Sequence, residues 1–139
     1  MKDLVNEISV VKAINNSTVS TDTTTVGNEI DLQGYESCTF IFELGAITDG
    51  DFTPVITECA TSGGSFTAVA DADLIGTEAG AAFTTNTDDN KVSKIGYKGK
   101  LRFVKATMVS TNTATTGAVF SAICLKGHPL IRPGDANSQ

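Results

Sequence analysis

Between Cys38 and Leu44 the residues alternate. Cys38, Phe40, Phe42 and Leu44 are apolar and fall on one side, and Thr39, Ile41 and Glu43 fall on the other. A period of two marks a strand with one face in a core, because successive strand side chains point to opposite faces. Ile41 predicts that part of the outer face is covered too. Nothing of helical period rivals this segment, so the chain has to supply partner strands and a second layer to bury its aromatic side.

Partner strands can be read on both sides of it. "EISVVKAI" (7–14) is mostly β-branched and predicts a strand; a helix over 3–11 competes, since Leu4, Ile8 and Val11 share a helical face. "FTPVITECA" (52–60) predicts a strand whose Pro54, lacking an N–H, belongs near a sheet edge or at the strand's start. "SFTAVA" (65–70) and "AVFSAICLKG" (118–127) follow, as does "KVSKIGYKGKLRFVKATMVS" (91–110), read as a strand pair broken by Gly96 and Gly99. Asp-Gly in "AITDGDF" and the Thr-rich "TNTATTG" (111–117) read as hairpin turns.

The Ser/Thr/Asn tract 15–28 predicts a flexible loop or loosely held edge, and 71–90 a long loop with one helical turn. The fold class that follows is all-β, a single-domain antiparallel β-sandwich or a β-barrel-like relative of it. The domain spans 1–127, with long Thr/Gly-rich loops. Residues 128–139 form an extended C-terminal arm, since Pro129 and Pro133 forbid a helix. At 139 residues the core is large enough to stand without metal or disulfide staples.

The formal net charge of −6 disfavours nucleic acid as a partner. Lys91, Lys94, Lys98, Lys100, Arg102 and Lys105 nevertheless gather in one stretch. They read as a solvated strand face, or, at Lys98, Lys100 and Arg102, as a contact surface for an acidic partner protein. Cys38, Cys59 and Cys124 show no zinc or redox spacing and read as small buried hydrophobes made in a reducing compartment. Neither a signal peptide nor an apolar run of membrane-spanning length is visible, so no membrane role is expected.

Chemistry is sparse. His128, the one histidine, sits in "GHP" without a nucleophile elbow and reads as a turn residue. "TSGGS" and "GYKGK" do not make a phosphate loop. The acidic groups "TDGD", "DAD" and "TDDN" offer oxygens for Ca²⁺, but "DADLIGTE" places Leu74 and Ile75 where ligands belong. A Ca²⁺-dependent glycan-binding sandwich is therefore the rival from a different functional class. Asp71 and Asp73 read instead as turn or capping residues, with an expected cost of about 0.5–2 kcal/mol on replacement by alanine. No catalytic, cofactor or metal residue is expected.

"MKDLVNEISVVKAI", "TSGGSFTAVADADLIG", "IGYKGKLRFVKATM" and "CLKGHPLIRP" occur in that order. Together they resemble small proteins encoded among the head and structural genes of tailed bacteriophages, and the similarity spans nearly the whole chain. The resemblance implies a non-enzymatic virion protein made in the host cytoplasm. Its expected role is a capsid decoration or cement protein on the shell exterior. A head–tail connector or tail-associated fitting is the alternative. The implied partners are the major capsid protein and further copies of the chain, a trimer being one possibility. Leu130, Ile131 and Arg132 in the arm are the expected anchors.

Overall fold

The computed structural model describes residues 4–84 and 86–130. Nine strands follow one another among these residues: β1 (Ile8–Val19), β2 (Thr23–Asp31), β3 (Tyr35–Ile47), β4 (Asp51–Cys59), β5 (Thr67–Ala68), β6 (Leu74–Ile75), β7 (Val92–Tyr97), β8 (Phe103–Thr111) and β9 (Ala118–Pro129). Helical structure in the described residues is confined to single 3-10 turns, at Val5–Glu7, Asp71–Asp73, Ala79–Ala81 and Asn86–Asp88. The strands form two antiparallel sheets packed together, ordered β1-β9-β3-β7-β6 and β2-β8-β4-β5, without a closed barrel. The chain is a sandwich, and the barrel-like alternative does not hold.

The pairing is nested. β1 pairs with β9, β2 with β8, β3 with β7 and β4 with β5, as in one long hairpin folded near residues 60–66. Winding that hairpin brings β3 against β9 and β4 against β8, which completes both sheets. This is the rolled topology of a jelly roll. It requires six connections to cross between the sheets: β1–β2, β2–β3, β3–β4, β5–β6, β7–β8 and β8–β9.

The alternating segment behaves as its pattern predicts. Cys38, Phe40, Phe42 and Leu44 are buried, and Ile41 on the opposite face is half-buried. Phe120 of β9 meets Phe52 of β4 across the core, with ring centroids 5.8 Å apart, joining the two layers. Ala118 and Ala122 on β9 are small where the neighbouring phenylalanines need room. Residues 7–14 fall largely in β1, as expected, and the competing helix shrinks to one turn at Val5–Glu7.

Three expectations need correction. The tract 15–28 is not a flexible loop, because it supplies the end of β1 and most of β2, with only 20–22 between them. Thr is a good strand former where one face meets solvent, and both strands are edges of their sheets. The strand pair read over 91–110 is split between layers, β7 pairing with β3 and β6 while β8 pairs with β2 and β4. The Asp-Gly turn and 111–117 are likewise crossings between sheets and not hairpins. Turn chemistry reports that a chain reverses. It does not report which strand the reversed chain will pair with.

The outer edge of β4 shows how the roll protects itself. Phe52 exchanges backbone hydrogen bonds with Phe83, Pro54 has no N–H to expose, and the Ile56 N–H donates to Glu78 Oε1 at 2.7 Å. Each device removes a free donor from an edge that would otherwise invite another strand. Pro54 thus lies on an edge left open by the short β5, as its chemistry requires.

At the far end of the sandwich, Gly117 has a left-handed φ of 62° and its carbonyl accepts from the Thr48 N–H at 3.0 Å. A Cβ there would collide with the Val19 carbonyl oxygen. Gly117→Ala is therefore expected to cost about 2–4 kcal/mol, from backbone strain plus displacement of Val19. Thermal unfolding reads this as a melting temperature lower by roughly 10 °C; an unchanged value would refute the close packing.

Candidate functional site

The register Asp31–Phe103–Cys59 in one sheet, and Ile8–Gly127 and Tyr35–Pro129 in the other, places several segments at one end of the sandwich. These are the 32–34 turn, the 98–102 crossing and the end of β9, here called the basal end. Between them lies a groove of about 420 Å³. Leu32, Tyr35, Ile75, Tyr97 and Leu101 supply apolar surface, and Lys98, Lys100 and Arg102 line it as well. The three basic residues expected at a contact surface are thus brought to one concave site.

They are not equivalent. Arg102 is committed to Asp31, with Nε 2.8 Å from Oδ1 and an Nη 2.6 Å from Oδ2, a bidentate pair. The guanidinium holds the Asp31 carboxyl at about 2. Lys98 and Lys100 are exposed and enter no salt bridge among the described residues. Lys126 adds a further cation, lying 4.4 Å from the Tyr35 ring centre and donating to the Asp31 carbonyl at 3.2 Å.

Tyr97 holds the crossing loop in place. Its hydroxyl donates to Glu58 Oε2 at 2.5 Å and accepts from the Leu101 N–H at 3.0 Å. Glu58 is on β4 and Tyr97 on β7, so the bond also ties the sheets together. Burial, and then the bond to Glu58, push the phenol upward from its ordinary value. Gly99 is needed because a Cβ there would strike the Tyr97 ring.

The arm begins beside the same groove. Leu130 is 70% exposed and its N–H donates to the Gly34 carbonyl at 2.9 Å. Ile131 and Arg132, with the rest of 131–139, lie outside the described residues. His128 belongs to β9, with a left-handed φ of 52°, and its Nδ1 is 2.9 Å from Ser37 Oγ. The contact secures an unusual backbone conformation, and no carboxylate among the described residues bonds to the ring as a triad would require.

Asp71 and Asp73 do not cap with their carboxylates. Their 3-10 turn has Ala70 at its N-cap and no side-chain cap; the Leu74 N–H closes it on the Asp71 carbonyl, and the Asp73 N–H bonds the Ala70 carbonyl at 2.8 Å. The backbone makes this turn unaided. The capping carboxylates lie elsewhere, mainly at the end opposite the groove. Asp49 accepts from the N–H groups of Ala114 (2.6 Å), Thr115 (2.8 Å), Thr116 (3.1 Å) and Gly117. Asp89 receives the Ile47 N–H at 2.8 Å and Asp22 the Thr113 N–H at 2.7 Å. The Gly117 and Thr115 bonds foremost hold the Asp49 carboxyl at about 2.

In two of the three acidic loops, carboxylates are thus turned onto backbone donors, at Asp49 and at Asp88 and Asp89. No group of three His, Cys, Asp or Glu side chains among the described residues is placed to hold a metal ion. Asp49 was legible only as a turn signal, since its carboxylate's partners lie 65 to 68 positions away in sequence. Glu78 and Glu58 gave no local signal.

The outer face of the five-stranded sheet is a second surface. Val10, Leu125 and Thr39 form one row and Lys12, Ile123, Ile41 and Lys94 the next. Val10 is 54% exposed and Val119, further along β9, 46%. This is more apolar than a solvated sheet face needs to be.

No family model matches the chain, and no curated protein does. Among solved structures the chain is similar to YomS, a protein derived from the SPBc2 prophage. The alignment covers 91% of this chain and 100% of that one, at 10% identity and a TM-score of 0.36. A likeness this loose carries no argument about role.

Two outcomes follow from the carboxylates. Glu78→Ala is expected to cost about 1–3 kcal/mol by stranding the Ile56 N–H, whereas Asp71→Ala changes stability by less than about 0.5 kcal/mol. Equal losses in denaturant titrations would restore a capping role to Asp71. For Asp49, the folded-state carboxyl titrates at about 2, below an ordinary aspartate near 3.8. Its contribution is fully present above the unfolded value and disappears as pH falls through about 2. Asp31 titrates in the same window, so Asp49→Asn should reduce the acid sensitivity between pH 4 and 2 without abolishing it. Parallel stability–pH curves for the two proteins would contradict the capping geometry.

Proposed function

We propose that the protein is a non-enzymatic structural component of a tailed-phage particle, a capsid decoration protein that docks on the shell exterior through its basal end. The observation that carries this reading is the convergence there of the groove, the exposed Lys98 and Lys100, and Leu130 at the start of the arm. An acidic surface on the major capsid protein would be matched by the two lysines, and the arm would extend the contact along the shell. The ordered motifs resembling phage head-gene products run through the same segments, in "IGYKGKLRFV" and "CLKGHPLIRP".

The fold is compatible with this role without selecting it. Jelly rolls build viral shells, but lectins and cupins use them too. More telling is the blocked edge of β4, which keeps a protein displayed in many copies from adding strands to its neighbours. A homo-oligomer is supported by the apolar rows on the outer face of the five-stranded sheet. Weak contacts repeated over a symmetric shell become strong through multivalency. No helix among the described residues is long and apolar enough to cross a membrane.

Copy number in purified particles tests the assignment. Decoration requires copies in proportion to the shell's repeated positions, whereas a handful per particle would place the protein at the neck or tail, and absence would end the virion reading. Lys98→Glu with Lys100→Glu is expected to reduce shell occupancy at least tenfold at moderate salt while leaving the melting temperature unchanged. Undiminished occupancy would remove the basal end from the interface.

A further inference from the structure

We propose that Cys38 and Cys124 are an oxidisable pair that closes into an intramolecular disulfide when the protein meets a small peroxide. The inference goes beyond the virion reading and does not depend on it. Cys38 is on β3 and Cys124 on β9, neighbouring strands at the centre of one sheet. The register pairs Cys38 with Lys126 and Phe40 with Cys124, so the cysteines are diagonal neighbours. Their Sγ atoms are 3.2 Å apart. A disulfide needs about 2.05 Å, so side-chain rotation and a small strand adjustment have to close roughly 1.2 Å.

Two further features separate this pair from ordinary core thiols. Cys38, although only 3% exposed, lines the basal groove, which gives a small oxidant a route to it that the sealed Cys124 lacks. The hydrogen bond the two sulfurs share, and then burial, raise the Cys38 thiol, while the same bond lowers Cys124, and the Lys126 charge favours the thiolate at both. Cys59, on β4 in the other sheet, has Thr61 Oγ1 as its polar contact, at 4.0 Å, and no second thiol beside it among the described residues. It serves as an internal control.

The chemistry balances with hydrogen peroxide as the oxidant. Cys38, a thiol at rest, first gives up its proton; its sulfur attacks one peroxide oxygen and the O–O bond breaks, leaving a sulfenic acid and hydroxide, which takes up that proton as water. Cys124 sulfur then displaces the sulfenic hydroxyl, forming the S–S bond and releasing a second water. Two thiols lose two electrons and peroxide gains them. The product ties residues 86 positions apart across the pairing of β3 with β9.

The folded protein is treated with hydrogen peroxide, quenched, denatured, alkylated and digested without reduction. The expected result is one cross-linked peptide pair carrying Cys38 and Cys124, from protein that runs as a monomer on a non-reducing gel, with Cys59 alkylated. The Cys59→Ser protein should give the same link. Three alkylated cysteines, over-oxidised sulfur without a link, a link that includes Cys59, or a link found only in dimers would each overturn the proposal.

Discussion

The roll depends on satisfying the backbone where the chain crosses between sheets. Strand N–H groups find partners in their ladders, but a crossing loop has none, and every donor it shields from water has to be met by something else. Asp49 meets four N–H groups of the β8–β9 crossing, the Gly117 one partly buried, from its own position in the β3–β4 crossing. The Thr48 N–H bonds the Gly117 carbonyl in the same place, and Asp22, from the turn between β1 and β2, takes the Thr113 N–H. Three crossings are thereby fixed to one another. Gly117 has to be glycine because its backbone lies where a side chain would meet Val19.

This accounts for much of the acidity. A charge of −6 invites a search for cations or basic partners, yet Asp22, Asp49, Glu78 and Asp89 are aimed at backbone N–H groups of their own chain. A carboxylate is suited to that task because it accepts several hydrogen bonds at once and keeps its charge while doing so. The cost appears at low pH, where protonation of Asp49 removes acceptor strength from the β8–β9 crossing. Acid sensitivity and loop order are then two consequences of one device.

What the sequence revealed and what it hid divide along the same line. Strand existence follows from side-chain alternation, a local property, and Cys38–Leu44 announced its inner face residue by residue. Pro54 announced an edge for an equally local reason. The Thr-rich tract was legible as an edge but not as ordered strand, because the polar residues that β2 needs on its wet side resemble those of a loop. Asp-Gly announced a reversal but not the layer in which the next strand would lie. Asp71 and Asp73 looked more like a site than Asp49 because two carboxylates in sequence are conspicuous. One carboxylate meeting a loop 65 residues away is not. Lys98, Lys100 and Arg102 were legible as a cluster, but the groove they line also needs Leu32 and Tyr35 from across the roll.

The same distinction decides which charges a partner can use. Arg102 looks like the strongest contact residue of the basic cluster, since a guanidinium grips carboxylates in two places. In the folded chain that grip is already spent on Asp31, and breaking it for a partner would return an unpaired Asp31 to the interface. Lys126 is similarly engaged with Tyr35 and a backbone carbonyl. Among the described cations that line the groove, Lys98 and Lys100 enter no internal salt bridge, and Tyr97 and Gly99 fix the backbone of the loop that carries them, so little backbone ordering entropy remains to be lost. If the basal end docks as proposed, affinity there follows the two lysines and the apolar groove floor, while Arg102 acts through the shape of the loop it anchors.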